Sequence, residues 1–486
     1  MTVSVSDLQA ALKTATEDIP TAAESDDRPS PACVFTPVSH LKALRPQTLL
    51  VSGARGAGKT FWTLALHQKS IREMLQQDVP ELANVRVRIG YTSRANPEAY
   101  PSSQQCSLFL QTFDAYDVWR TVWVRALADQ PEVKPLSPCP GRSWSEDVRI
   151  VAQKTEEVDR FFFEANRILA ENDVKVLVLF DALDRVAESW QDIDCLTMAL
   201  MKMTLELSTF SNIKGKIFLR EDHCNRLSFN FRDASKLLAT KVDLSWKRAE
   251  LYALLWKRFC NSDGMSGELL RLVFEEICPQ GLQERDGIWN FERTIELSDD
   301  NFRKLFHRLA GPYMGKNQRR GVPYVWTVGH LADSRQQASP RSFLAAVCYA
   351  CDDSRQNHRN APYAIHYDSI KLGVRAASEI RVNEMKEDNP WVGGLLESLR
   401  GVTVPCSFRE VQDIWEARYP RGPVELVEQH PRHAPPEFAS QQWPEVKNLL
   451  ERLGFCTTMT DGRFNMPDLY RIGFGLGRKG GVKPLK

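Results

Sequence analysis

Leu49-Leu50-Val51-Ser52-Gly53-Ala54-Arg55-Gly56-Ala57-Gly58-Lys59-Thr60 decides how the chain is read. An apolar run enters a glycine-rich turn, and the composition beyond it predicts a helix from about Phe61. Residues 53–60 satisfy G-x-x-x-x-G-K-[ST], the phosphate-binding P-loop, in the strand–loop–helix context that the motif requires. Gly53, Gly56 and Gly58 let the backbone wrap a phosphate closely, where a Cβ would clash or forbid the dihedral angles. With Ala54, Arg55 and Ala57 between them, they turn successive N–H groups inward, and the next helix offers its positive end to the anion. In this motif Lys59 reaches the β- and γ-phosphates, and the Thr60 hydroxyl ligates Mg²⁺. ATP and Mg²⁺ are therefore the expected ligands.

Further on, Val174-Lys175-Val176-Leu177-Val178-Leu179-Phe180-Asp181 is almost continuously apolar. Such a run suits a parallel strand buried on both faces. It ends in an acid, where open α/β sheets place their ligands. This is the Walker B pattern, with Asp181 as the expected Mg²⁺ partner. Many P-loop ATPases carry a catalytic Glu directly after that Asp, but Ala182 stands there. The next acid is Asp184, which would orient or deprotonate the attacking water. A salt bridge from Asp184 to a neighbouring arginine is the competing reading.

Outward from these two strands, 85–91 alternates with period two and reads as a strand. An amphipathic helix is expected over 112–128, with Val118, Trp119, Val122 and Trp123 available for a core. A loop holding Pro131, Pro135, Pro138 and Pro140 follows, then helix over 146–171. Further helices are expected at 190–210 and 248–260, and strands at 216–220 and 240–246. Strands alternating with helices predict an α/β fold with a parallel, doubly wound sheet. The core is set at residues 31–260, with a helical insertion at about 95–147. Residues 1–30 read as a mobile arm with one short helix. From about Ser262 strand signals fade, and 261–388 reads as a helical lid. Residues 389–486 predict helices at 407–418 and 443–453, then a hairpin over 455–466 about Asp461-Gly462. That order is winged-helix-like. The end, 478–486, carries four positive charges and no acid. It would either track a nucleic-acid backbone or dock on protein.

Composition is consistent with this plan. The chain has 486 residues, a net charge of +1, 43% hydrophobic and 26% charged residues. No whole-protein field draws it to nucleic acid or membrane. No run approaches the roughly 20 apolar residues of a membrane helix. The polar N-terminal stretch and eleven unpatterned cysteines suggest a reducing, cytoplasmic setting. Cys348 and Cys351, a lone C-x-x-C in an apolar helical stretch, read as a core face.

Across about residues 45–350 the chain resembles the STAND and KAP families of P-loop ATPases. Asp181-Ala182-Leu183-Asp184 is similar to the NACHT branch of STAND proteins. With Arg185 it also resembles the KAP signature, whose second position is usually acidic. The long stretch after Thr60 resembles the KAP insertion, which often spans a membrane in that family and does not here. The resemblance implies that Arg220, ending its strand, is a sensor arginine. It implies that Arg341, in Pro340-Arg341-Ser342-Phe343, is a second sensor placed on the γ-phosphate. A strand-end surface charge and a helix-start salt bridge are the respective alternatives. The function implied is a nucleotide-controlled switch that hydrolyses ATP, oligomerises or governs a partner effector protein, and in bacteria often serves defence against phage. The rival is an AAA+-like ATPase of origin-recognition or transposition type, binding duplex DNA through the C-terminal domain.

Overall fold

A computed structural model describes residues 3–17, 19, 29–227, 229, 231–292, 295, 298–431 and 434–479. The chain divides into two compact units, one built on Thr36–Ser245 and the other on the N-terminal helix and the chain from Trp246 onward.

The first unit carries a five-stranded parallel sheet in the order β2-β3-β4-β1-β5. Its strands are β1 (Leu50–Gly53), β2 (Val85–Tyr91), β3 (Lys175–Phe180), β4 (Ile213–Arg220) and β5 (Val242–Leu244). All four neighbouring pairs are parallel. The fold is thus α/β, as the alternation of strand and helix predicts. β4 lies between the P-loop strand and the Asp181 strand, and Arg220 is level with Gly53.

The helices between β2 and β3 are no appendage to this sheet. Helix Ala115–Ala128 buries Val118, Trp119, Val122, Trp123 and Leu127. The rings of Trp119 and Trp123 both lie 5.5 Å from that of Phe180 on β3. Trp123 also takes the space a side chain at Gly215 of β4 would need, its Cζ2 lying 2.8 Å from an ideal Cβ. The expected insertion is therefore a covering layer of the sheet. The single helix expected over 146–171 is two, Trp144–Gln153 and Thr155–Glu171, parted at Lys154.

A buried lysine ties the sheet to the segment that enters the P-loop strand. Lys216 of β4 is fully buried. Its ammonium donates to the carbonyls of Ala43 (2.6 Å), Arg45 (2.9 Å) and Thr48 (2.7 Å). These lie at and beyond the C-terminus of helix Val38–Leu44, where carbonyls lack helical donors and the dipole favours a cation. Lys216→Met should cost about 3 kcal/mol, because the carbonyls would stay buried with their donor gone. For a unit of this size that lowers Tm by roughly 6–12 °C. A melting curve superimposed on wild type would show that the carbonyls find other donors.

The second unit is mainly helical. The expected arm contains helix Val5–Glu17, which is packed rather than free: Leu8, Ala11 and Leu12 are buried in the core of this unit. Residues 18 and 20–28 lie outside the described residues. Helix Arg248–Cys260 falls where expected but belongs here, ahead of the boundary set at 260, because Leu251, Tyr252, Leu255 and Trp256 are buried in the same core. A hairpin of β6 (Leu282–Arg285) and β7 (Ile288–Phe291) stands where the strand signals of the sequence fade. Its turn is Asp286-Gly287, both left-handed, at φ 52° and 77°. Helices Pro340–Asn357 and Tyr367–Asp388 follow, and Cys348 and Cys351 are buried free thiols in the first of them.

At the C-terminal end come helices Pro390–Glu397, Phe408–Arg418, Val424–Gln429 and Trp443–Arg452, then β8 (Thr457–Thr458) and β9 (Phe464–Asn465). Cys406 adds a third antiparallel rung against Phe464, with N–O distances of 3.0 and 2.8 Å. The basic end is not wholly free to meet a phosphate backbone. Arg478 is held in the fold, donating to Asn465 Oδ1 (2.7 Å) and the Met466 carbonyl (2.9 Å) and pairing with Asp468 at 2.8 Å. Residues 480–486 lie outside the described residues. Among the described residues, no helix is long and apolar enough to cross a membrane.

Candidate functional site

The P-loop is set by a buried strand and two left-handed glycines. Every residue of β1 is buried between β4 and β5. Gly56 and Gly58 sit at φ 78° and 106°, which residues with a Cβ adopt only under strain. Helix Lys59–His67 begins on Gly58 with no side-chain cap, so its first N–H groups are left to the loop. Lys59 Nζ donates to the carbonyls of Gly53 (2.8 Å) and Ala54 (2.9 Å). Desolvation, then the charge of Arg220, push its pKa down to about 8, against the pull of Asp181, Asp222 and Asp184.

Asp181 follows β3 and is 2% exposed. The Thr60 hydroxyl bonds to its carboxylate. Burial raises its pKa, and Thr60 and Lys59 oppose that rise. Oδ2 is a buried oxygen with no hydrogen-bond partner among the described residues. An unpartnered carboxylate oxygen beside a hydroxyl is a fit for a hard cation. Thr60 and Asp181 are thus the residues that could hold Mg²⁺.

The chain then turns sharply. Ala182 is left-handed, at φ 55° and ψ 37°, and Leu183–Arg185 is a 3₁₀ turn closed by Arg185 N–H on the Ala182 carbonyl at 3.0 Å. This turn brings Asp184 to 3.5 Å from the Arg220 guanidinium. Arg220 is gripped more firmly by Asp222, Nε to Oδ1 at 3.0 Å and Nη2 to Oδ2 at 2.7 Å. Although burial opposes it, Arg220 holds the Asp222 carboxyl well below the usual carboxylate range. Lys59, Thr60, Asp181, Asp184 and Arg220 therefore share one end of the sheet, as an α/β ligand site should. The salt bridge considered for Asp184 exists, with Arg220 as its partner.

Arg341 lies in the other unit. It is the second residue of helix Pro340–Asn357 and donates to Glu384 Oε1 at 2.9 Å, the helix-start pairing left open by the sequence. Sequence reasoning missed Asp222. The signal was an acid pair, Glu221-Asp222, directly after a strand-ending arginine.

No protein-family model and no curated protein matches the chain. Among solved structures it is similar to the Walker-type ATPase PABY2304 of Pyrococcus abyssi, at 11% identity and TM-score 0.39 over 95% of this chain and 99% of that one. It is also similar to the Aeropyrum pernix ORC2 protein, seen in ADPNP and ADP complexes, at 12% identity and TM-score 0.39 over 94% and 95%. Likeness at this level decides nothing between the switch and DNA-handling readings.

Proposed function

We propose that the chain is an ATP-binding and hydrolysing switch whose second unit passes the nucleotide state to a partner protein or to further copies of the chain. The observation that carries the reading is the orphaned Asp181 Oδ2, buried beside Thr60 at the mouth of a P-loop. In this reading the loop amides and Lys59 hold the phosphates, and Thr60 and Asp181 hold Mg²⁺. The metal, when bound, neutralises charge on the β- and γ-phosphates. Asp184 orients the attacking water and accepts its proton as the water oxygen bonds to the γ-phosphorus and the bond to the β–γ bridging oxygen breaks. Arg220 balances charge between Asp184 and Asp222. Arg341, occupied by Glu384, is assigned no step.

The C-terminal elements are read as a winged-helix-like module that meets protein rather than DNA. Its last long helix, Trp443–Arg452, sets Glu445 and Glu451 against Lys447 and Arg452, and Lys447 pairs with Glu451 at 3.5 Å. A helix that tracks phosphates needs an excess of cations. Arg478 is already committed to Asp468.

The test is phosphate release by the purified chain. It should depend on Mg²⁺ and fall about tenfold or more with EDTA, since loss of the metal removes several kcal/mol of charge stabilisation. Light-scattering mass should change between the nucleotide-free protein and its complex with a non-hydrolysable ATP analogue. Absence of Mg²⁺-dependent ATP binding would end the reading, and an unchanged mass would end its self-assembly branch.

A further inference from the structure

We propose that Tyr91 is a positioning residue that clamps the 181–185 turn, and so sets where Asp184 stands relative to Asp181. The inference rests on the ATPase reading above. Tyr91 is the last residue of β2, 4% exposed. At Gly90 the Phe180 ring takes the room of a Cβ, and the β2–β3 register shifts between Ile89 and Tyr91. The shift sets Tyr91 opposite Phe180, the residue before Asp181. Its carbonyl accepts the Asp181 N–H at 2.9 Å, and its hydroxyl donates to the Arg185 carbonyl at 2.9 Å. One residue therefore holds both ends of the turn that carries both acids.

That turn needs an external hold. Ala182 is in the left-handed region, which costs a residue with a Cβ on the order of 1–2 kcal/mol. Conformations of this kind persist only where the surroundings over-determine them. The tyrosine is itself fixed by rings. Tyr100 lies 5.1 Å away, and Trp119 stands edge-on at 6.2 Å. Trp119 is edge-on to Phe180 in turn and donates from Nε1 to the Leu196 carbonyl at 2.7 Å. The helix covering the sheet thus backs the clamp. Burial first, then Cys106, Tyr100 and Asp184, push the Tyr91 hydroxyl's ionisation up, so it stays a donor.

The two halves of the clamp have separable effects. The backbone bond at Asp181 survives any side-chain change, so the metal-holding end should be kept. The hydroxyl is the link on the Asp184 side. Tyr91→Phe in the full-length chain should slow single-turnover ATP hydrolysis about tenfold, the scale of a small misplacement of a reacting group. Mg²⁺–ATP affinity should stay within about twofold, because the P-loop, Thr60 and Asp181 are untouched. In an Asp184→Asn background the same change should make no further difference, since Tyr91 acts through Asp184. A hydrolysis rate equal to wild type overturns the proposal, as does a full further loss in the Asp184→Asn background. A wild-type chain that binds Mg²⁺–ATP but never hydrolyses it overturns the ATPase reading and this inference together. An active wild type with an equally active Tyr91→Phe removes this inference alone.

Discussion

Lys59→Ala should abolish nucleotide binding at millimolar ATP while leaving the melting temperature close to wild type. Each charge-assisted hydrogen bond to phosphate is worth about 1.5–3 kcal/mol, and Lys59 would make two, so the affinity loss is on the order of 10²–10⁴-fold. In the free protein the same ammonium is spent on the Gly53 and Ala54 carbonyls. Both of these bonds are only partly buried, so water can take the place of the lost donor and folding should tolerate the change. The pH dependence gives a second reading of the same residue. The free site loses the Lys59 proton as pH rises through about 8. Bound phosphate favours the ammonium, so binding above that pH requires proton uptake. Affinity should therefore be full below pH 8 and fall by about one log unit per pH unit above it. The slope should vanish in Lys59→Ala. Isothermal titration at pH 7, 8 and 9 checks both statements, and a variant binding ATP as tightly as wild type would remove Lys59 from the site.

How much of this was legible follows from which signals are local. The P-loop could be read because glycine spacing, lysine and threonine are contiguous, and the left-handed Gly56 and Gly58 are what that spacing asks for. Asp181 could be read because a strand buried on both faces writes itself as an unbroken apolar run. The meeting of Asp184 and Arg220 could not. It depends on β4 lying beside both β1 and β3, and strand order is a property of the whole sheet. Trp119 and Trp123 showed an amphipathic face without showing that Phe180 and Gly215 were its target. Arg248–Cys260 was placed to the residue, yet a helical pattern says which face is buried, not in which core. The β6–β7 hairpin has its turn signal in Asp286-Gly287, but its strands are only four residues each and β6 is mostly polar, so they give little strand signal. Lys216 gave no signal, since nothing local marks a lysine whose three acceptors lie near residue 45.

Asp184→Asn should bind Mg²⁺–ATP within about threefold of wild type and hydrolyse it on the order of 10²–10⁴-fold more slowly, the contribution of a positioned general base. The argument starts from Ala182, which leaves Asp184 as the nearest acid after Asp181. The structure adds that Asp184 is not consumed by its salt bridge. Its contact with Arg220 is 3.5 Å, whereas Asp222 holds that guanidinium through two shorter bonds. Asparagine keeps the shape and removes the charge, and Asp222 keeps Arg220 in place, so the arginine should not be released by the change. If Asp184 were only an ion-pair partner, a partly exposed pair of this length would be worth about 0–1 kcal/mol of stability, and turnover would be untouched. Asp181→Asn should behave differently. It exchanges half of a buried carboxylate for an amide that repels a cation, so Mg²⁺-dependent affinity should fall before any rate is measured. Single-turnover hydrolysis at saturating Mg²⁺–ATP, set beside binding titrations with and without Mg²⁺, separates the two acids. A wild-type single-turnover rate in Asp184→Asn would return Asp184 to the salt bridge and leave the attacking water to be oriented by another group.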